Sequence, residues 1–393
     1  MTVAERIVEL STQSLANGGS AVGRHENRAV FVRGALPGEA VRARVVKDKG
    51  SYWHADLVEV LEASPHRRPS LCPIAEKHGS GCCDLAFLDP EAARSLKGRV
   101  VSEQLAKLGG VEWEGEAEAL GAPTGWRTRV RLAVDESGRA GFRRYHSDEL
   151  THELQCPQPA PGSLDGLERR RFPVGAEILV AVDDEQTRHV QLADRKRGRR
   201  NLAGSGHAVQ RVGDRAWRLP VRAFWQPHRE AARRYAALVA QWTGDLPEAD
   251  RSGSVAWDLY GGAGLFASVL AQAVGPTGRV FTVDSAGASS RAAVESLADL
   301  RHVEVLSGST EKILPDLPRA QVAVVDPPRS GAGRAVVAAL AGTDRIIHVG
   351  CETAAFSRDV GLYVEHGYTV REIRVFDAFP LTHHVECFAL LER

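Results

Sequence analysis

Residues 1–62 alternate apolar and polar positions in short runs. Ile7-Val8-Glu9-Leu10, Ala29-Val30-Phe31-Val32, and the stretches 41–46 and 55–61 carry the period of two expected of half-buried strands. Gly18-Gly19, Gly23 and Pro37-Gly38 punctuate them as turns. Four or five short strands in this space predict a small closed barrel of the OB type, which leaves no edge strand unpaired.

Residues 63–215 are less regular. Ser64-Pro65-His66-Arg67-Arg68-Pro69 links into a cysteine-rich stretch, and Ala92-Ala93, Leu96, Val100-Val101 and Leu105 then recur at helical spacing until Gly109-Gly110 stops them. Strand-like runs follow at 127–134, 140–145, 178–182 and 189–193, so an α+β unit is expected. From 216 to 393 strand and helix alternate. Short apolar strands fall at 255–259, 280–283, 303–305, 321–325, 345–349, 368–375 and 385–391, with Ala- and Leu-rich helical stretches between the early ones. That order predicts an open, mostly parallel, Rossmann-like sheet with helices on both faces. The fold class expected is therefore a multidomain α/β chain, with barrel, central unit and Rossmann-like unit in sequence.

Composition adds limits. The 393 residues carry 50 Lys+Arg against 50 Asp+Glu, which excludes a uniformly basic, non-specific polyanion binder. Seven of the basic residues are lysines and the rest arginines. Arginine's planar fork suits phosphates and base edges, but a GC-rich coding sequence gives the same bias and carries more weight. The run Arg195-Lys196-Arg197-Gly198-Arg199-Arg200 reads first as a solvated loop and second as a phosphate-contacting one. Arg127, Arg129 and Arg131 are further candidates for contact with phosphates. No long apolar run predicts a membrane span, and the start lacks a basic-then-apolar leader, so a cytoplasmic protein is expected.

The chemistry concentrates at strand ends of the last unit. A strand ends in Asp258-Leu259-Tyr260, and Gly261, Gly262 and Gly264 turn the chain into a helix near Leu265. Glycines there let backbone approach a ligand at the carboxyl edge of the first strand. Asp284 ends the next strand, where a carboxylate reaches ribose hydroxyls. No Gly-Lys-Ser/Thr follows and the G-x-G-x-x-G spacing is missing, which tilts the reading from a dinucleotide towards S-adenosylmethionine. Asp326-Pro327-Pro328-Arg329 forms a stiff loop at another strand end. Cys351 lies at the same edge, and the chain closes through Asp377-Ala378-Phe379-Pro380 and His383-His384-Val385-Glu386-Cys387.

These motifs resemble the RNA (uracil-5-)methyltransferase family of the TrmA/RumA type, which shows Asp-Leu-Tyr-Cys-Gly-x-Gly, Asp-Pro-Pro-Arg-x-Gly, Ser-Cys-Asn-Pro and Asp-x-Phe-Pro-x-Thr-x-His-Val-Glu in this order. Gly18-Gly19 and Ala35-Leu36-Pro37-Gly38-Glu39 are similar to its N-terminal TRAM domain, and Phe224-Trp225-Gln226-Pro227 to its Phe-Phe-Gln motif. The resemblance covers nearly the whole chain. It implies a TRAM barrel over 1–62, a central domain with a cysteine cluster over 63–215, and a class I methyltransferase domain over 216–393. It places cofactor contacts at Gln226, Tyr260, Asp284 and Asp326. Gly261 departs from the family's cysteine, and Glu352-Thr353 from its Asn-Pro.

The expected reaction is S-adenosylmethionine-dependent methylation of uridine carbon 5 in tRNA or rRNA. A cysteine adds to carbon 6 and a base later removes the carbon 5 hydrogen, which divides one difficult step into easier ones. Cys351 is the natural nucleophile and Glu386 the natural base, with Arg329 or a backbone amide favouring the thiolate. Cys387 alternates to the opposite face of its strand and belongs to the core. Cytosine-C5 or amino-group methylation, and a non-catalytic RNA-binding role, are the alternatives. A monomer is expected, with no membrane partner.

Cys72, Cys82, Cys83 and Cys156 form the second candidate site. Four thiolates suit a [4Fe–4S] cluster. The family uses Cys-x5-Cys-x2-Cys with a distant Cys-Pro. Cys156-Pro157 fits the last, whereas Cys72-x9-Cys82-Cys83 departs and leaves Ser80 at one ligand position. Zinc and a degenerate cluster region stand beside the iron–sulfur reading.

Overall fold

The computed structural model describes residues 6–244 and 253–393. Strands β1 (Ile7–Leu15), β2 (Ala21–His25), β3 (Arg28–Arg33), β4 (Ala40–Asp48) and β5 (Tyr52–Glu62) close a barrel in the order β1-β2-β3-β5-β4. Its pairs are antiparallel except β3 with β5. The alternation seen in the sequence becomes burial. Val8, Leu10, Val30, Val32, Val41, Ala43, Val45 and Trp53 fill the interior, as strict alternation in a closed barrel requires.

The middle of the chain opens with α1 (Pro73–His78) and α2 (Pro90–Gln104). Asp89 caps α2 by accepting from the Glu91 and Ala92 amides, which would otherwise have no partner. The helix runs on into a π-helical turn, Leu105–Gly109, which Gly110 ends in the left-handed conformation. Strands β6 (Glu118–Ala119), β7 (Arg129–Val134), β8 (Ala140–Arg143), β9 (Leu150–Thr151), β10 (Glu177–Val182), β11 (Arg188–Asp194) and β12 (Gly198–Ala203) follow. All but β6 form a six-stranded sheet in the order β12-β11-β10-β7-β8-β9. The second half of the basic run, expected as loop, is strand β12, because its backbone pairs with β11 whatever its side chains. A hairpin of β13 (His207–Val212) and β14 (Arg215–Pro220) leads onward.

The last unit contains α3 (Ala231–Gly244), β15 (Val255–Leu259), α4 (Leu265–Val274), β16 (Arg279–Asp284), α5 (Gly287–Ser296), β17 (Val303–Ser307) and α6 (Thr310–Ile313). Then come β18 (Val322–Val325), α7 (Gly333–Ala339), β19 (Arg345–Gly350), α8 (Thr353–Glu365), β20 (Thr369–Asp377) and β21 (Glu386–Glu392). The sheet order is β17-β16-β15-β18-β19-β21-β20-β6. Strands β15 to β19 are parallel, and β21 enters antiparallel between β19 and β20. Apolar layers cover both faces, which is why these strands read as nearly continuous apolar runs. The strand order reverses beside β15, so a crevice opens at the carboxyl ends there.

Two elements of the middle segment sit on this sheet. β6 extends it beyond β20, and α2 packs against it through Lys97, whose Nζ lies 2.6 Å from the Asp377 carboxylate with both side chains buried. Trp113 Nε1 donates to the Ile373 carbonyl at 3.3 Å. Among the described residues no helix is long and apolar enough to cross a membrane.

Candidate active site

The Asp258–Gly264 turn lies at the switch in strand order. Asp258 is fully buried, and one of its oxygens accepts from the Ala267 amide and the Thr282 hydroxyl, each at 3.0 Å. Burial pushes its pKa up to about 7, against the two hydrogen bonds. Gly261 passes directly over these groups. A Cβ there would come within 2.2 Å of Thr282 Oγ1 and 2.4 Å of the Asp258 carboxylate, so this chain has glycine where the resembling family has cysteine. Tyr260 takes a left-handed conformation, φ +62°, which costs a non-glycine residue about 1–3 kcal/mol. Its hydroxyl donates to Glu311 at 3.3 Å.

Asp284, at the end of β16, is fixed by the Gly262 amide at 3.0 Å and the Ala286 amide at 2.6 Å. The Asp326 amide donates to the Leu259 carbonyl at 3.2 Å, so the Asp-Pro-Pro loop leaves from beside the glycine turn. Burial, then the charges of Asp258 and Asp284, push the Asp326 pKa up to about 7. Gln226 lies buried after β14, next to Trp225, which packs on Trp217 with ring centroids 5.3 Å apart. Tyr260, Asp284 and Asp326 therefore rim one crevice at the carboxyl ends of β15, β16 and β18.

Sheet register places the other two candidates. The β19–β21 ladder runs antiparallel to Gly350↔Cys387, and Cys351 and Glu386 are the next residue on either side of that pair. Cys351 is half-buried and Glu386 buried. Burial, then Glu386 and Asp326, push the Cys351 thiol up to about 12. Arg329 and a backbone hydrogen bond act downwards, in the direction expected of them, and are outweighed. Glu386 is itself held well above the ordinary carboxyl range by burial and by Asp326. The free protein thus keeps a protonated thiol beside two carboxyls of high proton affinity. Cys387 faces the core, as alternation requires.

Several residues that hold this geometry have no signal in the sequence. Asp359 on α8 accepts from the Ala332 amide at 2.6 Å and the Gly333 amide at 3.3 Å, while Arg358 donates to the Ser330 carbonyl at 2.6 Å. Together they clamp the loop that carries Arg329. Glu352, in place of the family's asparagine, caps α8 by accepting from the Ala354 and Ala355 amides. It also accepts from Asn17 of the barrel at 2.9 Å. Asp84 accepts from the backbone amide and the ring of His383.

These contacts bring all three units to one cleft of about 700 Å³, lined among others by Arg131, Arg143, Arg144, Arg329, His383 and His384. A second depression, of about 670 Å³, shares Arg131 and Arg143 and adds Arg195 and Arg199. Of the three arginines on or before β7 only Arg131 faces solvent. Arg127 and Arg129 turn inward. Arg127 donates to the Arg129 carbonyl at 2.9 Å, and Arg129 to the Val221 and Ala223 carbonyls at 3.0 and 2.9 Å.

The four central cysteines do converge. Cys72, Cys83 and Cys156 belong to one apolar cluster, and the Ser80 hydroxyl lies 3.7 Å from Cys82 Sγ. Cys72 Sγ caps α1 by accepting from the Ala75 amide, and Gln158 Nε2 donates to Cys83 Sγ at 3.2 Å. Among the described residues no group of three or more His, Cys, Asp or Glu side chains is arranged to hold a metal ion.

The family model for tRNA (uracil-5-)-methyltransferases matches residues 313–393, and that for the TRAM domain matches residues 2–58. An uncharacterized RNA methyltransferase of Corynebacterium glutamicum is 41% identical, covering 98% of this chain and 97% of its own. The 23S rRNA (uracil(1939)-C(5))-methyltransferase RlmD of Pseudomonas fluorescens is 30% identical, with 98% and 93% covered. The structure of Pyrococcus abyssi tRNA (uracil-54, C5)-methyltransferase with S-adenosyl-L-homocysteine superposes with a TM-score of 0.75 at 18% identity. It covers 98% of this chain and 99% of that one, and so shares the fold throughout.

Proposed function

Because this chain belongs to the RNA (uracil-5-)methyltransferase family, we propose that it methylates carbon 5 of a uridine in a tRNA or rRNA through a covalent adduct on Cys351. The observation that supports this reading is that Cys351 and Glu386 flank the last pair of the β19–β21 ladder, Gly350↔Cys387, with Glu386 and Asp326 close enough for their charges to act on Cys351. Gln226, Tyr260, Asp284 and Asp326 are the residues that would hold S-adenosylmethionine. The Asp284 carboxylate is already aimed by two backbone amides, and a side chain begun at Gly262 would meet nothing within 4 Å.

S-adenosylmethionine supplies an electrophilic methyl on a positively charged sulfonium, and that charge opposes the carboxylate repulsion that raises the Cys351 pKa. Cys351 adds as thiolate to carbon 6 of the uracil, and the electron pair moves onto carbon 5 and the adjoining carbonyl. Carbon 5 would take the methyl group as the sulfonium S–CH3 bond breaks, its electron pair staying on sulfur to leave neutral S-adenosylhomocysteine. Glu386 then takes the proton from carbon 5, the carbon 5–carbon 6 double bond reforms, and the thiolate leaves. The raised proton affinity of Glu386 suits that last task. The Asp359 and Arg358 clamp keeps Arg329 beside the pair, where its charge offsets the two carboxyls.

In this reading the TRAM barrel of residues 1–62 and the central residues 63–215 grip the RNA, and residues 216–393 carry out transfer. The arginines along the cleft and β12 are placed for phosphates, and a paired uridine has to swing out of its stack to reach Cys351. A [4Fe–4S] cluster on Cys72, Cys82, Cys83 and Cys156 has no step in this reading, which uses Cys351 and Glu386 alone. The test is methyl transfer to cellular RNA followed by nucleoside analysis. Cys351→Ala should make no 5-methyluridine, and Glu386→Gln should stall as a protein–RNA adduct. Full turnover by Cys351→Ala would remove the covalent route.

A further inference from the structure

The barrel reaches the proposed reaction centre through one turn. Ala16-Asn17-Gly18-Gly19-Ser20 joins β1 to β2, closed by the Ala16 amide on the Ser20 carbonyl at 2.8 Å and by the Gly18 and Gly19 amides on the Ala16 carbonyl. Leu15, at its foot, is buried in one apolar cluster with Leu85, Leu88 and Val100 of the central segment, so the turn is rooted in the interface. Asn17 Nδ2 donates to Glu352 Oε1 at 2.9 Å, one residue after Cys351. Gly19 is buried with φ +77°, and a Cβ there would come within 2.4 Å of Asp84 Oδ2 and 3.0 Å of His383 Cβ. The His383 amide donates to Asp84 at 3.1 Å, and His383 stands three positions before Glu386.

We propose that this turn is a positioning element for methyl transfer, with Asn17 acting through Glu352 to fix the place of Cys351. The role rests on the covalent reading of Cys351 given above. The Glu352 carboxylate already accepts from the Ala354 and Ala355 amides at 3.4 and 2.8 Å, which ties it to the first turn of α8. Asn17 adds a third donor from another unit of the chain. Hydrogen bonds to an ionised acceptor are roughly twice as strong as neutral ones, and three donors leave the carboxylate one orientation. Contacts that merely joined the units could lie anywhere on their interface. Here both contacts of the turn fall on the segments that carry the proposed nucleophile and base. Gly18 between them is exposed and lines the arginine-rich cleft, so RNA held in that cleft lies against the turn that sets Cys351.

The bond between the two side chains can be broken and then remade with its polarity reversed. Asn17→Asp sets carboxylate against carboxylate. Adding Glu352→Gln to it exchanges the two groups: the new amide donates to the new carboxylate, and its oxygen can still accept from the Ala355 amide. The double variant carries the net charge of the wild type, so a difference between it and Asn17→Asp reports the contact and not the charge of the protein.

The test combines single-turnover methyl transfer, on RNA from cells lacking this protein and at saturating S-adenosylmethionine, with hydrogen exchange of the free full chain. Asn17→Asp should slow transfer by about 10–100-fold, the scale of loss when reacting groups are misplaced by about 1 Å. Its affinity for S-adenosylmethionine should hold, and Glu352→Gln added to it should restore most of the rate. Without RNA or S-adenosylmethionine, the amides of Ala354 and Ala355 should exchange faster in Asn17→Asp and return to the wild-type rate in the double variant. An unchanged transfer rate, a loss that the second substitution does not rescue, or unchanged exchange would each overturn the proposal. A wild-type protein that makes no 5-methyluridine would overturn the covalent reading and the role in transfer together, so the wild type tells the two failures apart.

Discussion

At Cys351 the decisive quantity is the charge around one sulfur. Burial and two carboxyl neighbours hold the thiol at about 12, so its alkylation by iodoacetamide in the free protein should be slow at pH 8 and still rising beyond pH 10. Glu386→Gln removes a negative neighbour and should move that profile to lower pH. A rate that levels off by pH 9 would contradict the electrostatics. The proposed site residues were legible in the sequence because each sits in a short motif at a strand end, as with Cys351, Glu386, Asp284 and Asp326. Residues that act on them from a distance were not. Lys97 meets Asp377 across 280 positions, and Asp84 meets His383 across 299, so neither pair leaves a local pattern. Arg127 and Arg129 read as RNA contacts from their charge alone, yet both turn inward, Arg127 donating to the Arg129 carbonyl and Arg129 to the Val221 and Ala223 carbonyls.

At the scale of elements, the closing loop after β20 depends on α2. Lys97 lies buried against Asp377 and also donates to the Phe379 carbonyl at 3.3 Å. Lys97→Met would leave the Asp377 carboxylate buried without its cation, and such losses cost about 3–5 kcal/mol. Urea denaturation should show a loss of that order; an unchanged midpoint would mean that water reaches Asp377. The barrel strands and the parallel sheet were readable because burial on one face or on both imposes its period on the side chains. β6 was not, since a two-residue strand carries no period. The switch of β12 from expected loop to strand has the same root: pairing with β11 is backbone chemistry, and its exposed arginines say nothing about it.

At the scale of the whole molecule, the zero net charge and the RNA substrate are reconciled by placement. Cationic side chains from the central sheet and the last unit face one cleft, where Arg131, Arg143 and Arg144 also pair with Glu177, Asp148 and Glu149. RNA binding should weaken with salt. Arg143→Ala with Arg144→Ala should lower RNA affinity and flatten the log–log salt slope by about 0.7–0.9 for each phosphate no longer neutralised. S-adenosylmethionine affinity should not change. An unchanged slope would place the phosphates elsewhere. The cleft could not be read from the sequence because barrel, central sheet and methyltransferase sheet each supply part of it, joined by contacts such as Asn17 with Glu352. The covalent role of Cys351 is tested most directly by incubating the protein with S-adenosylmethionine and 5-fluorouridine RNA, then locating the adduct by mass spectrometry. Fluorine at carbon 5 blocks the final elimination, so the account predicts one stable, methylated adduct on Cys351. No adduct, or one on another residue, would contradict it.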